Sequence, residues 1–196
     1  SIESKLGLYS EQILTEISKN IKNELSKYEV LSEEVIMDDL VQDGLLEFNQ
    51  MSDFEKNVLL DDLNKKLGNE IFRFNNLKNI HIIMPDGGYF FDIGYEFFSE
   101  GRKQHILEAI DDSKRNIFHT YDSTNQGSDC ILIGRKINSK ENVDKKLGYL
   151  LIVVDEKVFA DQIYKNVDMG KGSELFIMDS AGLIISSISK EIANGT

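Results

Sequence analysis

The chain of 196 residues contains one cysteine, one proline and no tryptophan. A single thiol, Cys130, excludes an internal disulfide and any metal site built on two or more cysteines. It opens an apolar segment and reads as a buried thiol, not a nucleophile. No run of about 18 apolar residues occurs, so the sequence presents no membrane-spanning helix of its own. Positive charge is the scarcer sign: 22 Lys+Arg stand against 34 Asp+Glu, a formal net charge of −12. That balance argues against nucleic acid or an anionic lipid surface as partner, because both select a basic face. The three histidines are His81, His105 and His119, and none sits in a chelating spacing, so neither metal nor cofactor is implied. No GxSxG elbow exists, and Gly170-Lys171-Gly172-Ser173 lacks the strand-to-helix context of a phosphate loop and reads as a linker. With no nucleophile–base–acid set, catalysis by this chain is not expected.

What is present suits a folded domain: 41% of residues are hydrophobic and 29% charged. Ile2, Leu6, Tyr9, Ile13, Ile17, Ile21, Leu25, Tyr28, Leu31 and Val35 recur at threes and fours, which predicts one helix about 50 Å long. Such a helix lies along its own domain or against a second copy of itself. A break is expected near Asp43-Gly44. Ser52 with Glu55 forms a capping box that opens a second helical stripe through Val58, Leu59, Leu63, Leu67, Ile71 and Phe74.

From Asn79 the period changes from helix to strand. Asn79–Met84 and Tyr89–Ile93 flank the turn Pro85-Asp86-Gly87-Gly88 as a hairpin. A short helix over Gly101–Lys114 precedes strands at Asn116–Tyr121, Cys130–Ile137 and Leu147–Val154. A helix over Glu156–Asn166 and a hairpin within Glu174–Ser187 close the chain. The expected fold is α+β, with helices on one side of a five-stranded antiparallel sheet. The strings around Met84 and Met178 are alike, which suggests that a second, similar unit begins near the C-terminus. The expected division is residues 1–76 helical, 77–168 the sheet lobe and 169–196 the start of another lobe.

The residues suited to binding are Arg102, His105, His119, Tyr121, Asp122 and Arg135, spread over the short helix and two strands. Strand alternation puts His119 and Tyr121 on one face. Arg135 shares the face of Ile133 and Ile137, so its charge requires Asp122, Asp92 or a bound carboxylate. His81, between Ile80 and Ile82, reads as an outward or satisfied strand residue.

The segments IHIIMPDGGYFFD (80–92), CILIGRKI (130–137) and the run from Leu147 to Ser187 resemble the extracytoplasmic double Cache, PAS-like sensor domains. The likeness is greatest to those of YesM-type bacterial sensor histidine kinases. Gly148-Tyr149, Asp155 and Asp179 to Gly182 match that pattern. The family's Trp-Tyr pair on the short helix is replaced here by the Arg102–His105 stretch. The resemblance implies a small-molecule ligand on the first lobe, a parent chain that spans the membrane, and a location on the extracellular side. It implies a non-catalytic fragment whose helix shift reaches a kinase across the membrane. Three alternatives remain open: a chemoreceptor ectodomain, a diguanylate cyclase ectodomain, and a module that dimerises through the N-terminal helix.

Overall fold

The structure is a computed structural model and describes residues 2–95, 97–123, 129–159, 163, 175–178 and 184–187. Helix α1 runs Ile2–Met37, a rod of 36 residues and so about 54 Å. Its stripe buries Ile17, Tyr28, Leu31 and Val35, whereas Tyr9, expected on the same stripe, is 63% exposed. Each fully buried large side chain contributes roughly 1.5–3 kcal/mol, so α1 is held mainly through its C-terminal half.

The helical break falls at Asp38, not at Asp43-Gly44. Asp38 turns to an extended backbone and caps α2 (Asp39–Glu47), its carboxylate accepting from the Leu40 N–H at 2.9 Å. Gly44 lies within α2 because its position admits no side chain. A Cβ there would stand 2.8 Å from the Phe90 ring and 2.9 Å from Leu59. After a 3₁₀ turn at Phe48–Gln50, Ser52 and Glu55 form the expected capping box of α3 (Asp53–Arg73). Leu59, Leu63 and Leu67, one turn apart, bury its inner face, while Val58 stays exposed.

The sheet comprises β1 (Leu77–Ile83), β2 (Tyr89–Gly94), β3 (Phe118–Ser123), β4 (Asp129–Asn138) and β5 (Lys146–Asp155). The five run antiparallel in the order β2-β1-β5-β4-β3, so β5 is central and every residue from Leu147 to Val154 within it is buried. Helix α4 (Glu100–Asp112), capped by Ser99, connects β2 to β3. A short α5 (Glu156–Phe159) follows β5, and β6 (Phe176–Met178) pairs with β7 (Ile184–Ser187) as a separate hairpin. Residues 160–162 and 164–166 of the expected helix, the Gly170–Ser173 linker and the second turn lie outside the described residues.

Helices cover both faces of the sheet, not one. Residues of α1, α2 and α3 pack on Ile80, Ile82, Ile131, Ile133, Ile152 and Val154. Ile106, Leu107 and Ile110 of α4 pack on the opposite face, over Cys130, Leu132, Leu151 and Val153. Gly134 lets α4 approach: a Cβ there would meet Ile110 Cδ1 at 2.6 Å. Ile163 and Ile177 join the core on the α1 side, so β6 packs against the same core as the five-stranded sheet. Its closing pair, Met178–Ile184, has a register shift like that of the first hairpin at Ile83–Tyr89.

Candidate functional site

The two faces differ in chemistry. Beneath α1 to α3 the polar groups include the hydroxyl of Ser32 and the side chains of Gln42, His119 and Arg135, whereas the α4 face buries a lysine and a histidine. On α4, positions 103, 106, 107 and 110 point inward, and the first of them is lysine. The Lys103 side chain is only 5% exposed and its ammonium donates to Glu100 at 2.8–3.0 Å, while Glu100 itself is 84% exposed. The same ammonium sits 4.4 Å above the Tyr89 ring. Burial, with the Asp92 and Glu100 charges nearby, pushes the Tyr89 phenol up to about 12.

Under that pair lies His81, fully buried at the middle of β1. Its ring is 5.7 Å from Tyr89 and 5.8 Å from Phe98. Nδ1 stands 2.7 Å from Oδ1 of Asp92, the residue opposite on β2. Neither ring nitrogen has a hydrogen bond of good geometry among the described residues, nor does the facing Asp92 Oδ1, so His81 is neither outward nor satisfied. A cleft of about 420 Å³ runs between α4 and the Pro85–Gly87 turn, past Lys103 and Leu107 to Asp111 and Tyr149.

The far end of that cleft is tied shut by charge. Lys146 Nζ donates to both Asp111 carboxylate oxygens at 3.0 and 3.1 Å and to Tyr149 Oη at 2.6 Å. Tyr149 Oη also donates to Asp111, and Lys136 Nζ donates to the Asp111 carbonyl at 2.9 Å. Burial alone would raise the Asp111 carboxyl, but the Tyr149 and Lys146 hydrogen bonds outweigh it and hold it below its ordinary value. The network fixes the C-terminal end of α4 on β4 and β5. It also places cations where the helix dipole favours them.

The six residues expected to form the site do not converge. Arg102 and His105 are on the exposed side of α4. Arg135 and His119 are on the opposite face, against α1. There Arg135 Nη1 donates to Ser32 Oγ at 3.1 Å and His119 Nε2 lies 3.3 Å from Glu29 Oε1. Arg135 does share the face of Ile133 and Ile137, but its partner is the α1 hydroxyl, and Asp92 is engaged with His81. Tyr121 and Asp122 pair along the backbone with Ile131 and Cys130, and their side chains lie outside the described residues. Sequence reading missed Lys103, Tyr89 and His81 as one group. A signal was present: a lysine in phase with Ile106, Leu107 and Ile110, and a histidine inside an apolar strand. Among the described residues no cluster could hold a metal ion, and no helix is long and apolar enough to cross a membrane.

No family model matches the chain, and no curated protein matches it by sequence. Solved structures do match its fold. The extracellular domain of a protein assigned as a histidine kinase aligns with TM-score 0.60 at 14% identity, over 83% of this chain and 61% of that one. The chain thus spans less than two thirds of that neighbour's length. The ligand-binding domain of a Campylobacter jejuni chemoreceptor, solved with L-norvaline, aligns with TM-score 0.64 at 15% identity, over 99% of this chain and 73% of that one. The sensor domain of the Vibrio cholerae histidine kinase DctB aligns with TM-score 0.60 at 14% identity, over 95% and 68%. The fold is therefore the Cache or PAS-like sensor fold expected from the sequence.

Proposed function

We propose that this chain is the ligand-sensing part of a membrane receptor, displayed on the extracellular side of a bacterial cell. It would itself be non-catalytic, with a YesM-type histidine kinase as output and the double Cache plan continued from residue 169. The observation that carries the reading is the buried Lys103 and His81 on the α4 face. A face built for packing alone would bury apolar side chains there, because a buried cation is costly unless something requires it. A small organic ligand is assigned to that face, its anionic group at Lys103 and Arg102 and His105 at the rim. His119 and Arg135, with Tyr121 and Asp122 beside them on the sheet, are assigned to the link with α1. Through that link a change in the sheet would move the long helix.

The likeness to a chemoreceptor domain over 99% of this chain keeps a chemoreceptor or diguanylate cyclase output as the second reading. The parent reading frame separates the two. Dimerisation through α1 belongs to the same proposal, since Leu14, Val30 and Met37 stand exposed on it; sedimentation velocity on the chain tests it. A thermal-shift screen of amino acids, organic acids, sugars and short peptides tests the sensing role. At a hundredfold excess over Kd a true ligand raises Tm by roughly 5–10 °C. A flat screen, together with a structure showing the α4 face closed, would contradict the reading.

A further inference from the structure

A second groove, of about 340 Å³, opens where α2 meets the first hairpin. It is lined by Leu45, Leu46 and Phe48 from α2 and the 3₁₀ turn, Met84 and Pro85 from the hairpin, and the buried Leu147 of β5. Pro85 and Asp86 line both this groove and the α4 cleft, but no residue of α4 lines the groove. Scattered exposed apolar side chains are ordinary, whereas a concave apolar surface with a few polar groups is the usual form of a ligand site. Here Leu46 is 36% exposed, and Leu45, Phe48 and Met84 are half-buried. The walls are preformed. Phe48 stands edge-on to Phe90 at 5.1 Å and carries the Lys56 ammonium 5.0 Å from its ring centre. The Met84 N–H donates to the Gly88 carbonyl at 2.7 Å, and the Gly87 N–H to the Met84 carbonyl at 2.9 Å.

The charged groups around the groove are unequally engaged. Asp86 accepts from the Gly88 N–H at 2.9 Å and so belongs to the turn. The Lys146 ammonium is taken up by Asp111 and Tyr149 in the α4 cleft, and Lys140, in the same β4–β5 loop, is paired with Asp39. Lys145 differs. Its N–H donates to the Asn142 carbonyl and its carbonyl accepts from the Ser139 N–H, both at 2.9 Å, so its backbone is fixed. Its ammonium has no carboxylate partner among the described residues. We infer that this groove is a second binding site, separate from the α4 face, for a free amphipathic carboxylate. Its alkyl or single-ring aryl body lies against Leu46, Phe48 and Met84, and its carboxylate meets Lys145. Asp86 repels an anion at the hairpin end, which fixes the direction in which the acid lies. A short polar acid leaves the apolar wall wet, and an uncharged body leaves Lys145 in water.

The test titrates the whole chain with octanoate and phenylacetate, against octanol and acetate, and follows the amide ¹H–¹⁵N shifts. Saturable shifts at Leu45, Leu46, Met84 and Leu147 are expected with both amphipathic acids, and none there with acetate. Lys145→Glu, at an exposed position, turns attraction into repulsion. It is expected to weaken octanoate roughly tenfold and to leave octanol unchanged. Leu46→Gln removes part of the apolar wall and is expected to weaken octanoate and octanol alike, severalfold. Octanoate shifts confined to Lys103 and Leu107 would put the acid under α4 and overturn the inference. Absence of any shift, or an unchanged octanoate affinity in Lys145→Glu, overturns it too. Each of these last two results leaves the sensing role of the α4 face standing, because the two sites share no part of α4.

Discussion

Replacing Lys103 by Met separates a functional lysine from a structural one, because the two predict opposite signs. The side chain is 5% exposed, and Met fills nearly the volume of its stem, so no cavity opens. Two contacts are lost. The pair with Glu100 involves a carboxylate that is 84% exposed, and pairs of that kind contribute about 0–1 kcal/mol. The ammonium over the Tyr89 ring adds about 0.5–2 kcal/mol. Against these stands the desolvation of a buried ammonium, several kcal/mol even after relaxation. Glu100 remains in water, so the substitution leaves no orphaned buried charge. The net expectation is a gain of about 1 kcal/mol, which raises Tm by roughly 2–4 °C in a chain of this length. Calorimetry or urea unfolding with an unchanged slope reads it. Any thermal shift produced by an organic anion should vanish in the same variant, the stability-for-function exchange of a binding residue. A lowered Tm with the anion response intact would refute the reasoning and make Lys103 part of the scaffold.

Three further outcomes follow from the packing. Gly134→Ala should cost about 1–3 kcal/mol by overpacking Ile110. Ile110→Val in that background should recover part of it, a non-additivity above about 0.5 kcal/mol in a double-mutant cycle; strictly additive costs would mean that α4 is not seated on Gly134. Gln42 is buried, donates to the carbonyls of Ile36 at 2.6 Å and Asn138 at 3.0 Å, and accepts from the Lys140 N–H at 3.1 Å. Gln42→Leu strands those groups and should lower stability by about 2–4 kcal/mol in urea titration. The Asp111 carboxyl is depressed in the folded state, so its contribution is full above the ordinary carboxylate value near 4 and is lost as pH falls through its lower folded value. Asp111→Asn should therefore lower Tm at neutral pH, with the gap to wild type closing in acid; a gap that widens in acid has the wrong sign.

The elements that were legible in the sequence are those specified by local chemistry. The Ser52–Glu55 box set the start of α3, and the Pro85–Gly88 turn set the first hairpin. Gly44 misled because glycine breaks helices by default, yet here it serves the contact with Phe90 and Leu59, which only the folded neighbours reveal. The second helical layer was in principle readable. Leu147–Val154 is a continuous apolar run, and such a run belongs to a strand buried on both faces, so one-sided helices were inconsistent with it. The site was less legible, since Arg102, His105, His119 and Arg135 were grouped by residue type. The sheet sends them to opposite faces, and that division depends on which layer each helix joins. Lys103 was not singled out and His81 was read as an outward or satisfied strand residue; burial of both is a property of the assembled sheet and α4.

The central claim is that the face under α4 is a ligand site. The most direct measurement is a crystal structure of the chain grown with an organic acid that raises its Tm. The account predicts electron density for the acid between α4 and the sheet, its anionic group on Lys103 Nζ. Density confined to another surface, or an α4 face closed over protein side chains alone at saturating acid, would contradict it.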